Sequence, residues 1–220
     1  APNIAYTLAL LGERPRLMAT AGQDFDDYRR WLDAAGVDTS LVRDVAGKFT
    51  ASFFCSTDND NNQIASFYTG AMANAAELSF RNAPGASLAI VSPNDPQAMV
   101  QYAEECRTIG LPFIWDPGQQ CARMDGTDLA AGLTGSLIVI CNDYEFELIR
   151  QKTGIGEADI LSHTGALVIT RGEAGCSIYT ATGRVDAPAV PPEKIVDPTG
   201  VGDAFRSGFT SSVLATLSQS

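Results

Sequence analysis

The sequence predicts an α/β domain built on a parallel sheet, and three observations lead there. From residue 86 onward, strand-like apolar runs alternate with helical ones, and strands separated by helices join as parallel βαβ units. The 220 residues are 45% apolar, enough for one substantial core with at most a small appendage, so one domain over 1–220 is expected. The first half holds one strand–strand unit, at 49–69, that stands apart from the alternating part as a hairpin.

Along the chain, residues 3–11 are small and apolar and stop at Gly12, which reads as a helix, and 16–20 read as a strand before Ala21-Gly22. The chain thus reads as beginning inside a domain. Residues 24–35 place Phe25, Tyr28, Trp31, Leu32 and Ala35 at helical spacing before Gly36, and these aromatics are expected in the core rather than around a ligand. Segments 49–57 and 63–69 are rich in β-formers and flank Asp58-Asn59-Asp60-Asn61-Asn62, a polar connection suited to a hairpin. That connection has the spacing of a calcium loop, but Gln63 and Thr69 replace the required glycine and glutamate, so a plain turn is expected. Strands follow at 87–92, 112–115, 137–141 and 166–170, with helices at 96–109, 127–133 and 144–152 between them. Gly172-Glu173-Ala174-Gly175 leads to a short hairpin around Ala181-Thr182-Gly183, and 188–198 lead into a last helix from Gly202 to about Leu217. There is no internal repeat and no low-complexity segment.

Fifteen Lys+Arg against twenty-six Asp+Glu leave a net charge of −11, which opposes nucleic-acid and anionic-membrane partners. An anionic ligand must then be held by backbone amides or a helix N-terminus. The five cysteines, Cys55, Cys106, Cys121, Cys141 and Cys176, form no Cys-x-x-Cys pair, so reduced and mostly buried thiols are expected. His163 is the one histidine and reads as structural. No apolar run reaches membrane-spanning length and Ala1-Pro2-Asn3-Ile4-Ala5 does not read as a signal peptide, so a cytoplasmic protein is expected.

Ligands of open parallel sheets bind beyond the carboxyl ends of the strands. Four such places carry suggestive residues: Asp116-Pro117-Gly118-Gln119-Gln120, Asn142-Asp143-Tyr144-Glu145, Thr170 through Gly175, and Asp197-Pro198-Thr199-Gly200-Val201-Gly202-Asp203. In the last, Gly200 and Gly202 let backbone amides converge at a helix start, a cradle for developing phosphate charge. Asp203 at its edge is ionised at neutral pH and suits a base that takes a hydroxyl proton. It equally suits an ordinary helix cap. No lysine stands in a Gly-x-x-x-x-Gly-Lys-[Ser/Thr] frame, which excludes a P-loop, and Phe205 occupies the third glycine position of a dinucleotide fingerprint.

The run Asp197-Pro198-Thr199-Gly200-Val201-Gly202-Asp203-Ala204-Phe205-Arg206-Ser207-Gly208-Phe209 resembles the C-terminal signature of the ribokinase-like (PfkB) carbohydrate kinases. Within that family the chain is similar to bacterial adenosine kinases along nearly its whole length. Asp24-Phe25-Asp26-Asp27-Tyr28-Arg29, the run from Gln63 to Met72, Asn94-Asp95-Pro96, Asp116 to Gln120 and Asn142 to Glu145 carry this similarity. The resemblance implies a three-layer αβα sandwich with a small β-lid at about 49–69. It implies transfer of the γ-phosphoryl group of Mg·ATP to the 5′-hydroxyl of adenosine, in purine salvage. Asp203 falls on the family's catalytic aspartate, with Gly200, Val201 and Gly202 around its anion hole. Asn142 and Glu145 resemble its Asn-x-x-Glu motif, which organises magnesium and phosphate, Glu145 through water. Thr170, Gly172 and Gly175 resemble its nucleotide loop. The resemblance also implies purine packing on Phe53 and Phe67, purine or ribose contacts from Gln119, Gln120 and Arg123, a ribose contact from Asn3, and a homodimer formed through the lid.

The residues leave other readings open. Phe53 and Phe67 suit a hairpin packed on the core, Gln119 and Gln120 suit a solvated loop, and Asn142 with Glu145 forms a capping box. Arg206, one turn after Asp203, suits a pair with Asp203, a phosphate contact or a simple ion pair. The family opens with a strand bearing a substrate-binding aspartate and continues past Phe209, so the chain reads as truncated at both ends. A sugar kinase, a kinase of another nucleoside, or a nucleoside-binding fragment without catalysis are the alternatives.

Overall fold

A computed structural model of the chain describes residues 1–57, 63–193 and 200–217. The connection at 58–62, the hexapeptide from Lys194 to Thr199 and the last three residues lie outside it, and with them the expected turn and the first three residues of the Asp197 signature.

Six strands form the main sheet: β5 (Ala89–Val91), β6 (Phe113–Trp115), β7 (Ile138–Asn142), β8 (Ala166–Thr170), β9 (Cys176–Thr180) and β10 (Gly183–Ala187). Their order is β10-β9-β8-β7-β6-β5. The strands β5 to β8 run parallel and the last two are antiparallel. Side chains alternate across the sheet, and both faces are covered. Phe113, Trp115, Val139, Cys141, Leu167 and Ile169 turn to one layer of helices, α3 (Pro96–Ile109), α4 (Gly126–Leu133), α5 (Asp143–Thr153) and α6 (Glu157–Ile160). Ile114, Ile138, Ile140 and Val168 turn to the other, where Phe205, Phe209 and Val213 of α7 (Val201–Leu217) meet them. This two-sided burial is why the strands read as continuous apolar runs, and it produces the three-layer αβα sandwich that the resemblance implies.

Local chemistry sets the helix ends. Asp95 accepts the Ala98 amide at 3.1 Å ahead of Pro96, and Gly110 ends α3 in the left-handed region at φ 69°. Asp125 accepts the Asp128 amide at 2.8 Å and starts α4 one residue earlier than the pattern predicts.

The first half is built around α1 (Pro2–Leu10), β1 (Ala19–Ala21), α2 (Asp26–Ala34) and β2 (Val42–Asp44). Ala5, Leu17, Ala21, Phe25, Leu32, Val37 and Val42 form its core. Two expectations are corrected here. The hairpin of β3 (Ser52–Thr57) and β4 (Gln63–Tyr68) is not the one strand pair of this half, because β1 pairs in parallel with β2. The latter is a three-residue strand with two charged side chains, too short to show a period. Tyr28 and Trp31 are not core: they are 38% and 48% exposed and stack on each other at 5.6 Å, with Tyr6 on Trp31 at 4.4 Å. Helical spacing marks a common face without saying whether another element covers it.

The strand β5 is an edge of the main sheet, and β1 belongs to a separate pair. Between them, under α1 and α7, lies a cavity of about 440 Å³ lined by Ile4, Leu8, Leu17, Met18, Ile90 and Leu214 among others. Among the described residues no helix is long and apolar enough to cross a membrane.

Candidate active site

The carboxyl ends of β6, β7 and β8 and the start of α7 converge on one side of the sheet. Gly200 takes φ 82°, a left-handed turn that only glycine adopts freely, and its carbonyl accepts the Ala204 amide at 2.9 Å to open α7. The first amides of a helix have no partner within it. Here they belong to Val201, Gly202 and Asp203, of which the first two are exposed. Asp203 is therefore in the first turn and not the cap. Its Oδ2 accepts a hydrogen bond from Asn3 Nδ2 at 2.8 Å, so two residues 200 apart in sequence meet at the cradle. The α1–α7 junction that permits this is clasped by Ser207, fully buried, whose Oγ donates to the Ile4 carbonyl at 3.1 Å.

One turn further on, Arg206 turns away from solvent. Its Nε donates to Asp116 Oδ2 at 2.5 Å and its Nη2 to Oδ1 at 2.6 Å, and Nη2 lies 3.9 Å from Glu145 Oε2. The Asp116 side chain is 1% exposed and that of Arg206 11%. Burial pushes the Asp116 carboxyl up to about 6, with Arg206 opposing the shift. Burial also works against the charge of Arg206, but Asp116 and then Glu145 outweigh it and raise the guanidinium above the usual arginine value. Of the three partners open to Arg206, the structure takes the ion pair, and with a residue that carried no role in the sequence reading. Its position directly after a predicted strand and the resemblance of the run from Asp116 to Gln120 marked Asp116, and neither named a partner for it.

At the end of β7, Asn142 and Glu145 form the capping box: Asn142 Oδ1 accepts the Glu145 amide at 2.7 Å, and Glu145 Oε2 accepts the Asn142 amide at 2.9 Å. At the end of β8, Thr170 Oγ1 reaches the Cys141 carbonyl at 3.5 Å. Gly172 and Gly175 both have positive φ, but they differ in surroundings. A Cβ on Gly175 would lie 2.1 Å from the Ala187 carbonyl oxygen, whereas Gly172 faces open space.

Beyond β6, residues Gly118–Ala122 form a 3₁₀ turn. Gln119 points outward, but Gln120 is 4% exposed and its Oε1 has no hydrogen-bond partner among the described residues, so Gln120 is not an amide of a solvated loop. Lys152, which the sequence reading passed over, holds this turn. Its Nζ donates to the carbonyls of Cys121, Ala122 and Met124 at 2.7, 2.9 and 2.7 Å. Arg123 is exposed beside it.

In the lid, Phe53 stands opposite Phe67, and they are 66% and 49% exposed. Neither is packed into the core. Because facing residues share a side of the ribbon, Phe54, Ile64 and Tyr68 lie on its other side, also exposed. No hydrogen bond or ring contact among the described residues joins Phe53 or Phe67 to Gln119, Gln120 or Asp203. No disulfide links the cysteines, and burial pushes the Cys106 and Cys121 thiols up to about 12 and Cys141 well above its usual value. The His163 carbonyl accepts the Gly135 amide at 2.7 Å in a turn after α6.

The sequence matches the pfkB family carbohydrate kinase profile over residues 1–220. A nucleoside kinase of Burkholderia thailandensis solved in complex with inosine superposes with a TM-score of 0.94 at 41% identity, over 98% of this chain and 73% of that one. The same enzyme in complex with ADP-inosine gives 0.90 at 42%, over 96% and 66%. A nucleoside kinase of Methanocaldococcus jannaschii is 30% identical over 215 residues, 96% of this chain and 70% of that protein. A cytidine kinase of Thermococcus kodakarensis is 29% identical over 218 residues, 95% and 77% of the two. The chain belongs to the pfkB family of carbohydrate kinases, ATP-dependent phosphotransferases that act on a hydroxyl acceptor.

Proposed function

We propose that the chain is a nucleoside kinase that transfers the γ-phosphoryl group of ATP to the 5′-hydroxyl of adenosine, giving AMP and ADP. The observation that carries this reading is the Asp203 carboxylate, held by Asn3 at 2.8 Å beside the first-turn amides of α7. A hydroxyl placed against Asp203 gives up its proton there as its oxygen attacks the γ-phosphorus, and ADP departs with the electron pair of the broken P–O bond. Amides from Gly200 to Asp203 meet the equatorial oxygens of the transferring group. Asn3 directs the Asp203 carboxylate and reaches the ribose. Phe53 and Phe67 stack the base from the lid, whose closure keeps water from the phosphoryl group. Gln119, Gln120 and Arg123 read the base or ribose edge, and the buried, unpartnered Gln120 oxygen supports a ligand donor there. Thr170, Gly172 and Gly175 carry the nucleotide.

Magnesium is the metal this chemistry implies, and the residues fit it. Among the described residues no three His, Cys, Asp or Glu side chains gather to hold an ion by themselves. Mg²⁺ asks for less: it keeps several waters and takes one or two carboxylates with phosphate oxygens. Glu145 uses Oε2 for the Asn142 amide and has its second oxygen for a metal-bound water, with Asn142 beside it. Bound there, the ion would neutralise charge on the phosphates. ATP as donor supports a cytoplasmic location. The lid side bearing Phe54, Ile64 and Tyr68 supports a homodimer through the hairpin.

Inosine is a second reading for the acceptor, favoured by the 41%-identical Burkholderia enzyme in complex with it. The experiment is ADP release with Mg·ATP over a panel of adenosine, inosine, cytidine, ribose and fructose, with Asp203→Asn in parallel. Nucleoside-dependent release that falls about 10²–10⁴-fold in the variant, with nucleoside binding retained, is expected. Release with sugars alone, or equal rates in the variant, would sink the reading, and binding without release would mark a nucleoside-binding module.

A further inference from the structure

We propose that Arg206 is a positioning residue that aims the Asp203 carboxylate by clamping the first turn of α7 to the ends of β6 and β7. Arg206 and Asp203 lie three positions apart, on one face of the helix. The guanidinium is planar and meets Asp116 through two parallel bonds of 2.5 and 2.6 Å, a geometry that fixes rotation as well as distance. Glu145 Oε2, 3.9 Å behind it, ties the same cation to the strand end where the capping box begins. One clamp therefore joins the carboxyl ends of two adjacent parallel strands to the helix that carries the base.

A second observation is independent of the pair. A Cβ on Gly202 would lie 2.8 Å from Arg206 Nη1, while a Cβ on Gly200 would meet nothing within 4 Å among the described residues. The second glycine of the cradle thus leaves room for the folded-back arginine, and the two glycines do different things. Gly200 turns the chain and Gly202 admits the clamp. Stability gives no reason to keep such a pair, because a buried ion pair is commonly replaced by apolar residues of like volume without loss. What an apolar replacement cannot reproduce is the fixed direction of two parallel hydrogen bonds.

The proposal rests on the kinase reading for its rate measurement only. The variants are Arg206→Met with Asp116→Leu together, which empties the clamp while the Asn142 amide still holds Glu145, and Arg206→Lys, which keeps the charge but not the fork. Melting temperature, kcat and nucleoside KM are measured on each, with hydrogen–deuterium exchange of the Ala204 to Ser207 amides. The apolar pair is expected to melt within a few degrees of wild type and to exchange those amides about tenfold faster. It should hold KM within about threefold and lose kcat by about 10²-fold, the scale of a 1 Å misplacement, with Arg206→Lys between the two. Wild-type exchange at the start of α7 in a folded apolar pair overturns the proposal even if the chain proves not to be a kinase. So does a double variant that fails to fold while Arg206→Lys retains full kcat, since the pair would then serve stability alone. Wild-type silence towards every nucleoside would instead count against the kinase reading, leaving exchange to decide the clamp.

Discussion

Asp24 sits where the lid joins the body and shows how much one carboxylate can organise. Its Oδ1 accepts both the amide and the hydroxyl of Thr50, at 2.7 and 2.8 Å, and Thr50 Oγ1 in turn accepts the Gly22 amide at 3.0 Å. The Thr50 backbone bond and then its hydroxyl hold the Asp24 carboxyl below its ordinary value of 3.8. A depressed carboxylate contributes stability above its unfolded pKa and loses it as pH falls through the folded one. The gap in melting temperature between wild type and Asp24→Asn is thus expected to be full above pH 3.8 and to close below it. A gap that does not change with pH would contradict this. Residues at this scale were legible where chemistry is local: Asn142 and Glu145 stand three apart, and the pattern alone announced their capping box. Arg206 and Asp116 stand 90 apart, and nothing in either neighbourhood names the other.

Elements depend on one another through single contacts. Lys152, at the end of α5, closes two carbonyls of the turn that presents Gln119 and Gln120 and a third, of Met124, just beyond it. Lys152→Met should cost about 2 kcal/mol, the scale of one charge-assisted hydrogen bond, and raise nucleoside KM more than it lowers kcat. A variant with altered kcat and unchanged KM would speak against this role. Gly132 does the converse by having no side chain: a Cβ there would lie 2.1 Å from Cζ2 of the fully buried Trp115. Gly132→Ala is expected to destabilise by about 1–3 kcal/mol through overpacking, read as a lower urea midpoint with unchanged slope; an unshifted midpoint would mean that α4 stands off freely. The helix α3 and the strand β8 match expectation to the residue, because a helical period and a continuous apolar run are both visible locally. The strand β2 was not readable: two of its three side chains are charged, and it exists only because β1 pairs with it.

For the whole molecule, the lid separates two apolar sides of one ribbon, Phe53 with Phe67 and, opposite, Phe54, Ile64 and Tyr68. If the second side joins two copies, Phe54→Asp with Ile64→Asp should convert a dimer to a monomer in sedimentation, and a wild type already monomeric would refute the assembly. The net charge of −11 opposes anionic ligands, so under the proposed function the helix start and its glycines supply the local amides that hold them. The sequence by itself determined the alternation of strands and helices, the faces they bury and the kinase signature, because periodicity, turn chemistry and motif spacing are local properties of the chain. Tertiary structure alone decided that Asn3 meets Asp203 and that Asp116 takes Arg206. It also left Tyr28 and Trp31 partly exposed, with Tyr6 stacked on Trp31. Such pairings are set by how the layers close on one another, and no short stretch of sequence records that.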